Sequence, residues 1–249
     1  METVKKKVSV VMALYNGEKF LNGQLDSILP QLDREDELLV MDDGSTDSSL
    51  EIVRAYQKAW PQIRLMEGAH VGVNANFFRG IQEAKGDLIL LSDQDDIWLP
   101  QKTAVIRNKL ESEEGPVLLM HDASIVKADG LETGERMNDW RAPKRGFWTN
   151  WWKNRYTGCR MAMTKEMAPV LKGSPADLPM YDQWIGLLAE RFGKVIFLDE
   201  VLMLYRRHDG NVTDMNRRGL KALIRDRAKL LARYIRFVSA HKLLKHKHI

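Results

Sequence analysis

Much of what this 249-residue sequence lacks narrows what it can be. It has one cysteine, Cys159, which excludes an internal disulfide and a cysteine-rich metal site. A reducing cytoplasm is therefore the expected compartment. The longest apolar stretches, VSVVMALY at residues 8–15 and LILL at 88–91, fall far short of the roughly 20 residues needed to span a bilayer. The N-terminus has basic residues before an apolar run but no small-residue cleavage site, so a signal peptide is not expected. No GxGxxG follows the first apolar run and no GxxxxGK[ST] occurs, which removes the common glycine-based phosphate cradles. Internal repeats and low-complexity segments are absent too.

What is present can fill a core: 44% of the residues are hydrophobic. The net charge of +4 conceals an asymmetry. From residue 217 onward there are 11 Lys or Arg and one acid, Asp226, a charge of +10. The rest carries −6, so a basic tail follows an acidic body.

Through about residue 120, apolar runs alternate with segments of helical spacing. Strands are expected at 7–14, at 36–45 with acids and a turn at its end, at 63–68 and at 87–96, with helices between them and another after Pro100. Runs without polar alternation fit strands buried on both faces, so the fold class is α/β with a mainly parallel, Rossmann-like sheet flanked by helices. The STDSS segment at 45–49 supplies N-cap candidates for the second helix, and Gly86 a C-cap for the third. Beyond residue 120 come a strand at 116–126, a polar stretch at 130–146 read as a loop or lid, and a tryptophan-rich segment at 147–156. A helix at 181–193 and two short strands at 194–208 complete the body.

Acids collect at strand ends. Asp42 and Asp43 end the second strand, and Asp93, Asp95 and Asp96 end the fourth. Ligands of open α/β sheets bind beyond the carboxyl ends of the strands. Clustered carboxylates there offer hard oxygen ligands for Mg2+ or Mn2+, with substrate phosphates completing the shell. Each cluster alone reads first as a turn or cap, with Asp96 a candidate cap for the helix near Pro100, whereas the two together at carboxyl strand ends point toward function.

The stretches VSVVMALYNGEKFLNGQLDSIL, ELLVMDDGSTDSS, GDLILLSDQDDIWLPQK and YDQW together resemble family 2 glycosyltransferases, over roughly residues 8–213. SDQDDIWLP, with GCRMAM and YRRHDGNVT downstream, is most like the bacterial rhamnosyltransferases of O-antigen and capsule synthesis. The resemblance implies a GT-A fold and an inverting, metal-dependent transfer from a nucleotide-diphosphate sugar, dTDP-rhamnose or a UDP-sugar. It implies a nucleotide-sugar-binding half at 1–121, an acceptor-binding half at 122–213 and a helical tail at 214–249.

By position, the resemblance assigns Ala13, Tyr15, Asp42, Asp43, Asn76, Asp93, Arg206 and Arg207 to the donor, with Tyr15 packing on the base and Asp43 bonding it. Asp95 and His208 fall on the metal. Asp182 falls on the catalytic base, although Tyr181 stands where the family usually has Glu. Trp148, Trp151, Trp152, Gly158 and Cys159 lie on the acceptor side, with Cys159 expected to pack and not to react. A helix N-terminal position for Asn76, a first-turn acid for Asp182 and a helix packed on the core for the tryptophans stay open as plain structural readings.

In the tail, Leu220, Leu223, Ile224, Leu231, Tyr234, Ile235 and Val238 recur at helical spacing among basic residues. An amphipathic basic helix suits an anionic membrane surface, and docking on the body or a dimer contact is the other reading. The expected partners are the donor, a glycan acceptor on a polyprenyl diphosphate and the inner face of the bacterial plasma membrane, without nucleic acid. A sugar-1-phosphate nucleotidylyltransferase and a catalytically silent nucleotide-sugar-binding protein remain as alternatives.

Overall fold

The computed structural model describes residues 5–68, 70–208 and 220–245, with side chains of the last helix from 223 to 240. The first half runs β1 (Val8–Leu14), α1 (Glu18–Ile28), β2 (Glu37–Asp42), α2 (Ser49–Ala59), β3 (Ile63–Met66), α3 (Val73–Glu83), β4 (Leu88–Ser92), β5 (Ile97–Trp98) and α4 (Lys102–Leu110). The second half adds β6 (Val117–Lys127), β7 (Glu132–Arg136), α5 (Met137–Trp140), α6 (Phe147–Trp152) and β8 (Met161–Thr164). It ends with α7 (Met167–Leu171), α8 (Tyr181–Phe192), β9 (Lys194–Arg207) and α9 (Leu220–Lys245).

One sheet joins these strands in the order β3-β2-β1-β4-β8-β6-β9-β5, with β7 also on β6. β1 pairs in parallel with β2 on one side and β4 on the other, so the chain reverses its direction of travel across the sheet at β1. That reversal leaves a crevice beyond the carboxyl ends of β1, β2 and β4. β8 is inserted antiparallel between β4 and β6.

Strand residues alternate between two cores. Val8, Val10, Met12 and Leu14 pack with Leu21, Leu25 and Ile28 of α1. Val11, Leu39 and Met41 face Phe77 and Ile81 of α3 on the opposite side. Each such fully buried aliphatic side chain contributes about 1.5–3 kcal/mol. This two-sided burial explains why the strands read as unbroken apolar runs.

Three local expectations are corrected. Residues 130–146 are not a plain loop: β7 pairs with β6, and α5 follows, because Asp122 anchors the segment by accepting from Asn138 N at 3.0 Å and Arg136 Nε at 2.7 Å. The two short strands expected at 194–208 are one, β9, over 194–207; its register against β6 slips near Asp122, which absorbs the expected turn. Gly86 does not cap α3, which ends at Glu83 with Ala84 as its C-cap. Its place next to β1 demands glycine, since a Cβ there would lie 2.6 Å from Ser9 N.

Candidate active site

The first wall of the crevice is the loop after β1, and it is interlocked with the loop after β2. Asn16 N donates to Ser45 Oγ at 3.0 Å, and Asn16 Oδ1 accepts from Thr46 N at 2.8 Å. Asp47 accepts from Glu18 N and Ser49 N, both at 3.0 Å. The STDSS side chains therefore bridge two loops, and Ser48, at the N-cap of α2, makes no side-chain cap bond.

Ala13 is partly buried near the end of β1, and Tyr15 is 49% exposed beside it. The Tyr15 ring meets His70 edge-on, centroids 5.7 Å apart. Asp43 orders the facing loop by accepting from Val71 N at 2.7 Å and Gly72 N at 2.9 Å. Asp42 is buried and closes its own turn, accepting from Gly44 N at 2.8 Å. Asn76 is buried as well, and its amide donates to Met41 O, tying α3 to the end of β2. The helix-position reading of Asn76 fits this placement.

The second wall is the acid-rich loop after β4. Gln24 holds it from below, donating to Ser92 Oγ at 2.7 Å and Asp93 O at 2.9 Å. Asp95 Oδ2 lies 2.8 Å from His208 Nε2, and the His208 ring packs on Phe20 with centroids 4.7 Å apart. Asp96 caps no helix. It is buried, and its Oδ1 accepts from Arg206 N at 3.1 Å, which fixes the end of β9 against this loop. Burial and the neighbouring Asp95 raise the pKa of both Asp93 and Asp96.

Beneath these acids lies Lys102, fully buried, with Nζ 3.9 Å from the Trp98 ring centre and 3.2 Å from Cys159 O. Burial pushes Lys102 down to about 7, while Cys159, Asp96 and Asp93 act to hold its charge. Ligand atoms of Asp93, Asp96 and Cys159 lie within 4.8 Å of one another. Burial keeps the Cys159 thiol well above its ordinary pKa, which holds it in the protonated form.

Metal fit can be judged from this donor set. A carboxylate oxygen and an imidazole nitrogen from separate elements converge at Asp95 and His208. Asp96 Oδ2 is buried beside them, with no hydrogen-bond partner among the described residues. Hard oxygen donors with one imidazole suit Mg2+ or Mn2+.

Asp182 opens α8 and is buried. Its Oδ1 accepts from Asn154 Nδ2 at 2.9 Å and Gln183 N at 2.6 Å. Burial pushes its pKa up to about 6, against the opposing effects of those bonds and of Arg141. Asp182 also raises the pKa of Asp93, so the two carboxyls lie near enough to interact electrostatically. Asn74 orients the start of α8: it donates to Leu178 O at 2.5 Å and accepts from Tyr181 N at 3.1 Å. Tyr181 stacks on Phe77 at 4.2 Å between centroids, and its hydroxyl fills the space a side chain at Gly158 would take.

The remaining candidates separate. Arg206 is engaged by Asp95 O at 2.9 Å and Ala128 O at 3.0 Å and lies over Phe20. Arg207 is exposed and stacks on Trp140 at 4.3 Å. On α6, Trp148 and Trp152 point outward, 66% and 48% exposed, whereas Phe147 and Trp151 pack inward. The spacing of Trp148 and Trp152 therefore marks the outer face of the helix, not a buried one. In the tail, α9 docks through Leu230, Tyr234 and Phe237, the last two against Trp184. The expected stripe is shifted: Tyr234 is buried, but Ile224 and Ile235 are exposed. Leu220 and residues 209–213 lie outside what is described for side chains and backbone, respectively.

Sequence reading missed Gln94, His70, Asn74 and Asn154. Gln94 grips the Tyr15 backbone twice, accepting from Tyr15 N at 2.7 Å and donating to Tyr15 O at 3.0 Å. Its position between two acids was the one available signal; the other three carried none.

The profile described as Glycosyl transferase family 2 matches residues 9–169. The chain is 27% identical over 222 residues to the dTDP-rhamnosyl transferase RfbG of Shigella flexneri, covering 82% of this chain and 74% of that protein. Its backbone superposes on S. aureus TarS 1-349 in complex with UDP-GlcNAc with a TM-score of 0.66, at 20% identity, covering 88% of this chain and 64% of that one. It superposes on the mannosyltransferase PcManGT from Pyrobaculum calidifontis, in complex with GDP-Man and Mn2+, with a TM-score of 0.60 at 20% identity, covering 84% and 59%. The shared architecture is the GT-A fold. The chain spans 37% and 32% of the length of two other curated relatives.

Proposed function

The chain belongs to glycosyl transferase family 2, and from that membership we propose that it moves a sugar from a nucleotide-diphosphate sugar to a glycan hydroxyl with inversion. The observation that carries this reading is the Asp95–His208 pair at 2.8 Å, next to Asp93, whose carboxyl feels the charges of both Asp95 and the buried Asp182.

In this reading Tyr15 packs on the nucleoside base, Ala13 lines its pocket, and Asp43 bonds the base by exchanging one loop amide for it. Asp42 and Asn76 support these positions from below. Asp93 faces the ribose or diphosphate, Arg207 approaches the diphosphate, and Arg206 positions the Asp95 loop. Asp95 and His208 would hold Mg2+ or Mn2+. When bound, the cation supplies charge neutralisation for the leaving diphosphate. Asp182 takes the proton of the acceptor hydroxyl as that oxygen attacks the anomeric carbon from the face opposite the diphosphate. Gly158, Cys159 and the tryptophans of α6 belong to the acceptor side.

The likeness to RfbG supports dTDP-rhamnose as donor, and the likeness to TarS supports a UDP-sugar. The acceptor is proposed to be a glycan on a polyprenyl diphosphate, in cell-surface polysaccharide synthesis. This places the enzyme on the inner face of the plasma membrane, where the basic tail meets anionic lipid; a dimer is compatible with the same tail. No helix among the described residues is long and apolar enough to cross a membrane. The division proposed is residues 1–121 for the donor, 122–213 for the acceptor and 214–249 for the tail.

The test is a screen of nucleotide sugars with Mn2+ for hydrolysis and thermal stabilisation. One donor hydrolysed and stabilising above all others supports the reading. Neither effect with any nucleotide sugar overturns it.

A further inference from the structure

We propose that α6 and α9 together form a bilayer-docking face that seats the Asp182 end of α8 against an anionic membrane surface. The two helices are one unit. Trp151 Nε1 donates to Arg227 O at 3.0 Å, and Phe147 packs on Tyr234 with centroids 4.7 Å apart. With those two aromatics turned inward, α6 presents Trp148 and Trp152 outward.

The exposed side of α9 continues that surface. An α-helix turns about 100° per residue. Measured about the axis from Leu230, which is buried, Arg227 and Tyr234 lie about 60° and 40° round, toward α6. Ile224 and Ile235 lie about 120° and 140° round in the same sense, 51% and 56% exposed. They thus sit on the flank that α6 approaches. Arg225, Lys229 and Arg236 follow at about 220° to 260°, all exposed, with no acid on that arc.

Tryptophan at headgroup depth, isoleucine toward the acyl chains and a row of cations alongside is the combination that an anionic bilayer surface rewards. A glycan would engage the tryptophan faces but leave Ile224, Ile235 and the cations unused. A second copy of the chain would bring another uncompensated row of positive charge. Charge complementarity therefore favours lipid.

The face is wired to the base. Gln183 Nε2 donates to Asn150 O at 2.6 Å and Trp151 O at 3.1 Å on α6, and Gln183 Oε1 accepts from Arg227 of α9 at 2.9 Å. Asp182 is the next residue, and Asn154, which bonds it, follows α6 by two positions. Docking would thus present the acceptor end of the crevice to a hydroxyl at the membrane surface. This last step rests on the reading of Asp182 as base; the docking itself does not.

The experiment is flotation of the full chain with phosphatidylcholine vesicles, with and without phosphatidylglycerol. The wild type should float only with the anionic vesicles. Trp148→Ser/Trp152→Ser and Arg225→Glu/Lys229→Glu/Arg236→Glu should each reduce the bound fraction about tenfold or more. The charge-reversed variant changes only exposed side chains, so it keeps the test decisive should the tryptophan variant misfold; its donor hydrolysis in solution should equal that of the wild type. Equal flotation of the charge-reversed variant, or none by the wild type, overturns the proposal. So does light scattering that shows a dimer lost on Trp148→Ser/Trp152→Ser. Transfer surviving in Asp182→Asn with anionic flotation intact would sink the base and leave the docking face standing.

Discussion

His208 Nε2 lies 2.8 Å from Asp95 Oδ2, joining the end of β9 to the loop after β4 across 113 residues of sequence. Phe20 supports the imidazole from the side, and Asp96 fixes the backbone at Arg206. If this pair holds the cation, transfer stops in excess EDTA and returns with Mn2+ or Mg2+. His208→Ala should raise the Mn2+ concentration for half-maximal activity by more than the roughly 10- to 100-fold that loss of an outer-shell partner costs. Metal titrations of transfer, wild type against variant, measure this; undiminished transfer in EDTA refutes it.

Asp182 gives a pH prediction with a definite sign. As a base it must be ionised, so kcat should climb as pH rises through about 6 and then level off. Its folded pKa lies above the ordinary value of 3.8, so the folded state holds the proton more tightly. Its contribution to stability is therefore greatest at low pH and is lost as pH rises from about 4 to about 6. Both of its hydrogen bonds land on Oδ1, which an amide oxygen can replace. Asp182→Asn should abolish transfer, retain nucleotide binding and stabilise the fold at neutral pH by about 1–3 kcal/mol. Urea unfolding and nucleotide titration check both halves; equal loss of binding and transfer would count against the base.

Gln94 gives a prediction that separates donor binding from chemistry. Its amide makes both bonds to the Tyr15 backbone, so it sets where the Tyr15 ring, proposed to pack on the base, stands. Gln94→Ala should loosen that loop and raise the nucleotide Kd about tenfold, the equivalent of two net hydrogen bonds of about 0.5–1 kcal/mol each. kcat at saturating donor should fall far less. An unchanged Kd measured by calorimetry would remove Gln94 from the donor site.

What could be read from the sequence follows from how each feature is encoded. The strands of the first half were legible because two-sided burial writes continuous apolar runs, as in residues 88–91. The acids and His208 were legible through a family pattern of residue types in order. β7 and α5 were not, because β7 is wholly exposed and its order comes from Asp122, several residues away and buried. β9 was split because its irregular register against β6 mimics a turn in sequence. The orientation of α6 was illegible for a similar reason. Trp148 and Trp152 have the spacing of a buried face, yet Phe147 and Trp151 win the interior because α9, remote in sequence, packs there.

Gly158 offers the last prediction, and it joins the two sides of the crevice. It begins a 3₁₀ turn that leads into β8, directly under Tyr181. A Cβ at this position would overlap the Tyr181 hydroxyl and the ring carbons next to it. Tyr181 has little room to retreat, since its other face stacks on Phe77, and it directly precedes Asp182. Gly158→Ala should therefore displace the first turn of α8, destabilise the protein by about 1–3 kcal/mol and lower kcat more than donor affinity. Tyr181→Phe leaves the ring carbons in place and should not rescue it. Tyr181→Ala removes the overlapping atoms, so in the double variant the two losses should sum to less than their separate values. A double-mutant cycle on unfolding free energy reads this coupling. Strict additivity would show that Gly158 and Tyr181 do not constrain each other.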